Sequence, residues 1–234
     1  MLNFTSAQDF IEGQVLLIDK ALHWTSFNVV KKIKNLLYRH LGIKKIKVGH
    51  AGTLDPLATG LLMVCTGKAT KSIESIQNQD KTYLATIELG KTTPSYDLET
   101  DIDRHYPVDH INLDLIHQSI EQFTGTLAQV PPIYSAKKIN GTRAYEFARQ
   151  GQEKEMKAST IKIHAIEVIN FELPELTLQV TCSKGTYIRS LARDIGENLE
   201  SGAYLKSLRR TKIGDYEVDD ALTIHEFENI FKNM

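Results

Sequence analysis

Apolar and polar positions recur along this chain with two different periods, and the switches between them mark out its elements. Val15–Asp19 is a short apolar run that predicts a buried strand. Ser26 follows as an N-cap, and Phe27, Val30, Ile33 or Lys34, and Leu37 recur at helical spacing. That spacing predicts a helix to about His40, with one face in the core and lysines on the other, closed by Gly42. GHAGTLDPLATG, with its glycines and a proline around Asp55, reads as a loop rather than helix or strand. Leu61–Thr66 and Thr82–Leu89 then read as strands, and Leu113–Phe123 as a helix. Asn140-Gly141 is a turn signal ahead of a short helix around Ala144–Arg149. Ile161–Phe171 and Leu176–Cys182 read as paired strands separated by a turn at Pro174, and Ser190–Leu199 as a helix ended near Gly202. An LRRTKIG strand and an LTIHEFENIF helix follow. With no internal repeat and no low-complexity linker, the pattern predicts one mixed-sheet α+β domain with embellishments.

Composition narrows this picture without changing it. At 234 residues, 41% hydrophobic and 24% charged, the chain has the make-up of an ordinary globular protein. Its amino terminus lacks a basic n-region, and no stretch approaches the roughly 18 apolar residues of a spanning helix. Cys65 and Cys182 lie far apart, without the spacing of a zinc site or a disulfide framework, and a reducing cytoplasm is the expected setting.

The net charge of −1 conceals a segregation along the chain. From Lys20 to Leu54 there is no acidic residue, while Lys31, Lys32, Lys34, Arg39, Lys44, Lys45 and Lys47 are all basic. A second basic stretch holds Lys206, Arg209, Arg210 and Lys212, and an acidic segment with Asp97, Glu99, Asp101 and Asp103 lies between them. If the basic stretches share a face, that face attracts phosphates and the acidic segment points elsewhere.

Asp55 is the first acid after the long cationic run, on a glycine-flanked loop that a ligand can approach closely. A lone aspartate before proline is ordinarily a turn former, so its neighbours decide the reading. GLLMVCTGKA looks like a phosphate loop, but it has six residues between the glycines and Ala69 where Ser or Thr is required. His23, His50 and Cys65 lack zinc-ligand spacing, which disfavours a zinc deaminase.

GHAGTLDPLATG fills every fixed position of the G-H-x-G-x-L-D-P-x-A-x-G motif of the TruB family of tRNA pseudouridine synthases. Lys81-Thr82-Tyr83 is similar to that family's K-x-Y, Pro131 to Tyr145 to its PP-x-Y-S-A-x-K-x-x-G-x-R-x-Y, and Cys182 to Arg189 to its C-S-K-G-T-Y-I-R. Motifs in the family's order span most of the chain. The resemblance implies the pseudouridine synthase fold, with a catalytic cleft across a mixed, largely antiparallel sheet flanked by helices. It also implies isomerisation of uridine 55 in the T loop of tRNA without cofactor or metal: the N1–C1′ bond breaks, the base rotates and C5 joins C1′.

The roles implied by the resemblance follow the chemistry. Asp55 is the nucleophile, and Arg189 is the guanidinium that orients it and keeps it ionised, since a buried carboxylate without a cation would take up a proton. The target uridine must be flipped from its loop. Tyr83 stacks on it, Tyr187 hydrogen-bonds at the base, His50 fills the space left by flipped nucleotides, and Leu208 forms an apolar pocket wall. Asp97, in Thr93-Pro94-Ser95-Tyr96-Asp97, resembles the acid of the family's T-x-T-x-D motif near the RNA, and Lys20 is a supporting residue of the substrate site. Lys44, Lys45, Lys47, Lys137, Lys138, Arg143, Arg149 and Arg209 are expected on the RNA backbone, with 131–159 forming a mobile thumb. Non-catalytic tRNA binding is one competing reading, disfavoured by the full set of active-site residues, and the same chemistry on a guide-directed or ribosomal RNA target is the other.

One motif departs from the family. Where the family reads D-K-P-x-G-x-[ST]-S, this chain has Asp19-Lys20-Ala21-Leu22-His23-Trp24-Thr25-Ser26, so a different backbone is expected there. The sequence runs to Met234, and no PUA-like domain of the kind into which many bacterial members continue is expected. A monomeric enzyme follows as the expectation, acting on the T arm with no guide RNA and no membrane.

Overall fold

A computed structural model of the chain describes residues 6–135, 137–139, 141–152 and 154–232. The chain opens with α1 (Ala7–Glu12), β1 (Val15–Lys20), α2 (Ser26–Leu41), β2 (Val48–His50), β3 (Ala58–Thr66), α3 (Ile73–Gln77) and β4 (Lys81–Leu89). Short strands β5 (Lys91–Thr92) and β6 (Arg104–His105) precede α4 (Leu113–Gln122) and β7 (Gly125–Gln129). The small pair β8 (Lys138–Ile139) and β9 (Thr142–Arg143) leads into α5 (Ala144–Arg149). The hairpin of β10 (Ser159–Glu172) and β11 (Glu175–Cys182) is followed by α6 (Ile188–Asn198) and β12 (Ala203–Ile213). β13 (Tyr216–Glu217), β14 (Leu222–Thr223) and α7 (Ile224–Lys232) complete the described chain. No helix among the described residues is long and apolar enough to cross a membrane.

These elements gather into two compact units, Met1–Thr82 with Arg209–Met234, and Tyr83–Leu208. In the first, β1 pairs antiparallel with β3 and parallel with β14, and β2 lies antiparallel on β3. β3 is buried on both faces: Leu62 and Val64 enter a core shared with α2 and α7, while Leu61, Met63 and Cys65 join Ala51, Ile76 and Ile213. That double burial explains a run that is apolar without alternation. Gly60 is forced by crowding, since a Cβ there would sit 2.3 Å from the Arg210 carbonyl oxygen, and its φ is 100°. In the second unit β10 pairs antiparallel with both β11 and β7, and Ile161, Ile163, Leu178, Val180, Leu191 and Ile195 are buried.

Several expectations change in detail. The cap of α2 is Thr25, whose hydroxyl accepts from the Asn28 N–H at 3.0 Å, leaving Ser26 buried for another task. The buried face of α2 is Val29, Val30, Ile33, Leu36 and Leu37. Phe27 lies about 200° around the helix from Val29 and is 69% exposed instead of in the core. Part of the GHAGTLDPLATG segment is strand, because His50 ends β2 and Ala58 begins β3. Helix α6 starts at Ile188, two residues earlier than its periodicity suggested, and draws Arg189 into its first turn. Asn140 of the turn signal lies outside the described residues, and Gly141 beside it has φ 89°.

Candidate active site

The loop that carries Asp55 is pinned along its length. Ala51 donates to the Met63 carbonyl at 2.9 Å, and Ala58 donates to the carbonyl of Asp55 at 3.1 Å. Ser26 Oγ accepts from Leu54 N at 2.9 Å and donates to Leu54 O at 3.1 Å, so the residue before Asp55 is clamped on both backbone groups. His23 N–H donates to the Pro56 carbonyl at 2.8 Å, which ties the first motif to the loop. His23 stands where the family has glycine, and its φ of 66° is the left-handed conformation that glycine adopts at little cost. The departure from D-K-P-x-G thus replaces the residue and leaves a glycine-like backbone in place.

Two cations are buried beside this loop. Arg210 is 1% exposed, and its Nε donates to Leu61 O at 2.8 Å while an Nη donates to Gly52 O at 3.1 Å. Lys20 has no solvent exposure, and its Nζ donates to Trp24 O at 2.6 Å and to Ala21 O at 3.1 Å. Burial pulls the Lys20 ammonium down from 10.5 to about 8, with Arg210 adding repulsion and the carboxylates of Asp55 and Asp19 opposing the shift. The attraction between Lys20 and Asp55 is mutual and favours the ionised Asp55. His50 is held below the ordinary imidazole value by burial and by the Arg210 charge, against a backbone hydrogen bond with Gly52. Its Nδ1 is buried without a partner among the described residues. Arg210 stands in the sequence as one more cation of a basic stretch, because a buried arginine and a surface one look alike in LRR.

In the second unit the structure brings Asp97 and Arg189 together, both about nine-tenths or more buried, with Arg189 Nε 3.5 Å from Asp97 Oδ2. Arg189 also donates to Tyr134 O at 2.9 Å. Asp97 is in turn held by Glu99 N–H, which donates to its Oδ1 at 2.9 Å. Asp97 is therefore a buried ion-pair partner of Arg189. Tyr187 precedes α6, and Gln129 clamps it by accepting from its N–H at 2.8 Å and donating to its C=O at 3.1 Å. Gln129, on β7, carried no motif signal. Tyr83 on β4 is 9% exposed, and Leu208 on β12 is half-buried.

The two basic stretches fare differently. Lys44, Lys45 and Lys47 are exposed, with no ion pair among the described residues. The Lys206–Lys212 stretch is occupied internally: Lys206 pairs with Glu175 and Glu88, Arg209 with Asp19 at 2.7 Å, and Lys212 with Glu217 at 3.0 Å, while Arg210 is buried. Arg209 is consequently bound to a carboxylate where a phosphate ligand was expected, because Asp19 lies opposite it and offers both oxygens. Within 131–159, Lys137 donates to Ser159 Oγ at 2.6 Å, Arg143 is exposed on β9, Lys138 lies in β8, and Arg149 reaches Glu99 at 3.1 Å.

The family model described as TruB family pseudouridylate synthase (N terminal domain) matches residues 38–188, and that of the tRNA pseudouridylate synthase B C-terminal domain matches 189–234. The chain belongs to the TruB family. Among TruB relatives, the tRNA pseudouridine synthase B of Phocaeicola vulgatus is 55% identical, covering 94% of this chain and 93% of that protein. The enzyme of the same name from Flavobacterium johnsoniae is also 55% identical, covering 94% and 97%. A solved Cbf5-Nop10-Gar1 complex contains a chain similar in structure, with TM-score 0.72 and 30% identity over 94% of this chain. This TruB chain spans 54% of that one.

Two outcomes check this geometry. In the unfolded chain Lys20 titrates near its usual 10.5, whereas the folded chain releases the proton near 8. The unfolded state binds more protons between these values, so Lys20 should make stability rise from about pH 8 to 10.5, by up to about 3 kcal/mol. Lys20→Met should lose that rise, and a flat difference between the two pH profiles in urea unfolding would contradict the buried ammonium. Asp97→Ala removes one partner of a buried pair and should cost about 3 kcal/mol. A loss under about 1 kcal/mol would show that Arg189 is oriented without it.

Proposed function

We propose that this chain converts uridine 55 in the T loop of tRNA to pseudouridine, with the Asp55 carboxylate as nucleophile. The reading is supported by relatives that carry the name tRNA pseudouridine synthase B across nearly the whole chain. The observation that carries the assignment of Asp55 is its loop, clamped at Leu54 and Ala58 beside the buried Lys20 charge. Such fixing means that little reorganisation is needed when charge moves in the transition state.

In this account the uridine is flipped out and stacked on Tyr83. Asp55 attacks the sugar or the base ring, the N1–C1′ bond breaks, and the base turns to present C5 to C1′. C5 then bonds C1′, the bond to Asp55 is broken to restore the free carboxylate, the C5 proton leaves and N1 ends protonated, so the product is an isomer and no redox equivalent is consumed. Arg189 acts as the catalytic cation and Tyr187 at the base, each from a backbone position fixed by its own unit. His50 occupies the space of the displaced nucleotides as a neutral ring, in keeping with its lowered proton affinity. Leu208 lines the base pocket, and Lys44, Lys45 and Lys47 hold phosphates.

Loss of the C5 hydrogen gives a direct assay. With a T-arm hairpin carrying C5-tritiated uridine, the protein should release close to one tritium per hairpin, and none when the T-loop uridine is replaced by cytidine. Release that persists in the cytidine hairpin, or no release from either, would contradict the assignment.

A further inference from the structure

The first motif and helix α2 form a concavity of about 300 Å³ that no step of the reaction uses. It is lined by His23, Trp24, Asn28, Lys31, Lys32 and Asn35. Trp24, Asn28, Lys31 and Asn35 fall at i, i+4, i+7 and i+11, one stripe of the helix and the turn that leads into it. The Trp24 side chain is half-buried and packs against the core shared by α2 and α7, which makes it a fixed aromatic wall. Lys31 and Asn35 are exposed and have no hydrogen bond or ion pair among the described residues. Lys32 is already paired with Glu228 at 2.8 Å. No carboxylate lines the concavity, and the chain has none from Lys20 to Leu54. The His23 bond to Pro56 fastens one edge of it to the loop of Asp55.

An aromatic wall, the free Asn35 amide, the NH2 of Asn28, whose Oδ1 is held by Thr25, and an unpaired ammonium without an opposing acid are complementary to a nucleobase and its phosphate. The volume is at the small end for ligand sites and suits one nucleotide better than a large cofactor. We infer that this concavity receives a nucleotide of the substrate RNA flanking the modified uridine, its base against the Trp24 indole, its edge at the Asn28 and Asn35 amides and its phosphate at Lys31. The inference rests on the RNA substrate proposed above. It assigns a specific stacking contact to a surface that otherwise reads as a solubilising helix face.

Trp24 is the only tryptophan of the chain, so tryptophan emission comes from this residue alone, and a Lys31/Asn35 double variant separates this concavity from the neighbouring one that Trp24 also lines with Asp19 and Arg209. Titration with the T-arm hairpin should quench that emission, with a midpoint equal to the Kd from filter binding. The double variant Lys31→Ala/Asn35→Ala alters exposed positions and should raise that Kd about tenfold while lowering the salt slope by about one unit. UMP and AMP at the same concentrations should leave the emission unchanged. Quenching by the mononucleotides but not by the hairpin would mean a free-nucleotide site and overturn the inference. A hairpin that binds and releases tritium while Trp24 emission stays constant, or a double variant that binds as tightly as wild type, would overturn the inference and leave the proposed function standing. A hairpin from which the wild-type protein releases no tritium would refute the proposed function itself, and the flanking-nucleotide site with it.

Discussion

Positive charge held out of water beside the Asp55 loop is the constraint on which the first unit turns. Lys20 and Arg210 are both sealed from solvent, and each repels the other. Burying such ions is costly unless geometry and hydrogen bonds compensate, and here backbone carbonyls and the carboxylates of Asp19 and Asp55 do so. The same bonds fix the loop, because the Gly52 and Leu61 carbonyls to which Arg210 donates lie on either side of Asp55 in sequence. Gly60 belongs to this arrangement, since only a residue without Cβ lets β3 approach the backbone of Arg210 this closely. The loop that carries Asp55 is thus fixed from the backbone outward.

The second unit repeats the logic with other residues. Arg189 is buried against Asp97 and the Tyr134 carbonyl, and Asp97 is itself held by a backbone N–H. Gln129 fixes the entry to α6 by bonding both backbone groups of Tyr187, so the first turn that carries Arg189 has a defined start. Ionic side chains in these units divide into those that build structure and those exposed without an ion pair among the described residues. Arg209, Arg210 and Lys212 belong to the first class, and Lys31, Lys44, Lys45 and Lys47 to the second.

Much of this was legible in the sequence. β1, β4, the β10–β11 hairpin and α5 lie close to where periodicity and turn residues put them, because each has an apolar face and a defined break at its end. The pieces that were not legible share a cause, namely partners distant along the chain. Ser26 looks like a helix cap until its hydroxyl is seen on Leu54, and Phe27 fits a core spacing that the real buried stripe misses. The charge of the Lys206–Lys212 stretch could be counted but not its occupation by Asp19, Glu88, Glu175 and Glu217. Asp97 was found by motif, but its burial against Arg189 was not legible, since nothing in linear order tells a buried carboxylate from an exposed one.

The central claim is that Asp55 does the chemistry and that the surrounding charges serve to hold it. Asp55→Asn keeps the shape of the side chain and removes the ionised oxygen, so single-turnover tritium release is its most direct test, read beside hairpin affinity and the urea midpoint. The account predicts hairpin binding within about tenfold of wild type, a folded protein, and release that has disappeared. An Asp55→Asn protein that retains more than about one per cent of the wild-type single-turnover rate would contradict it, because a nucleophile cannot be lost so cheaply.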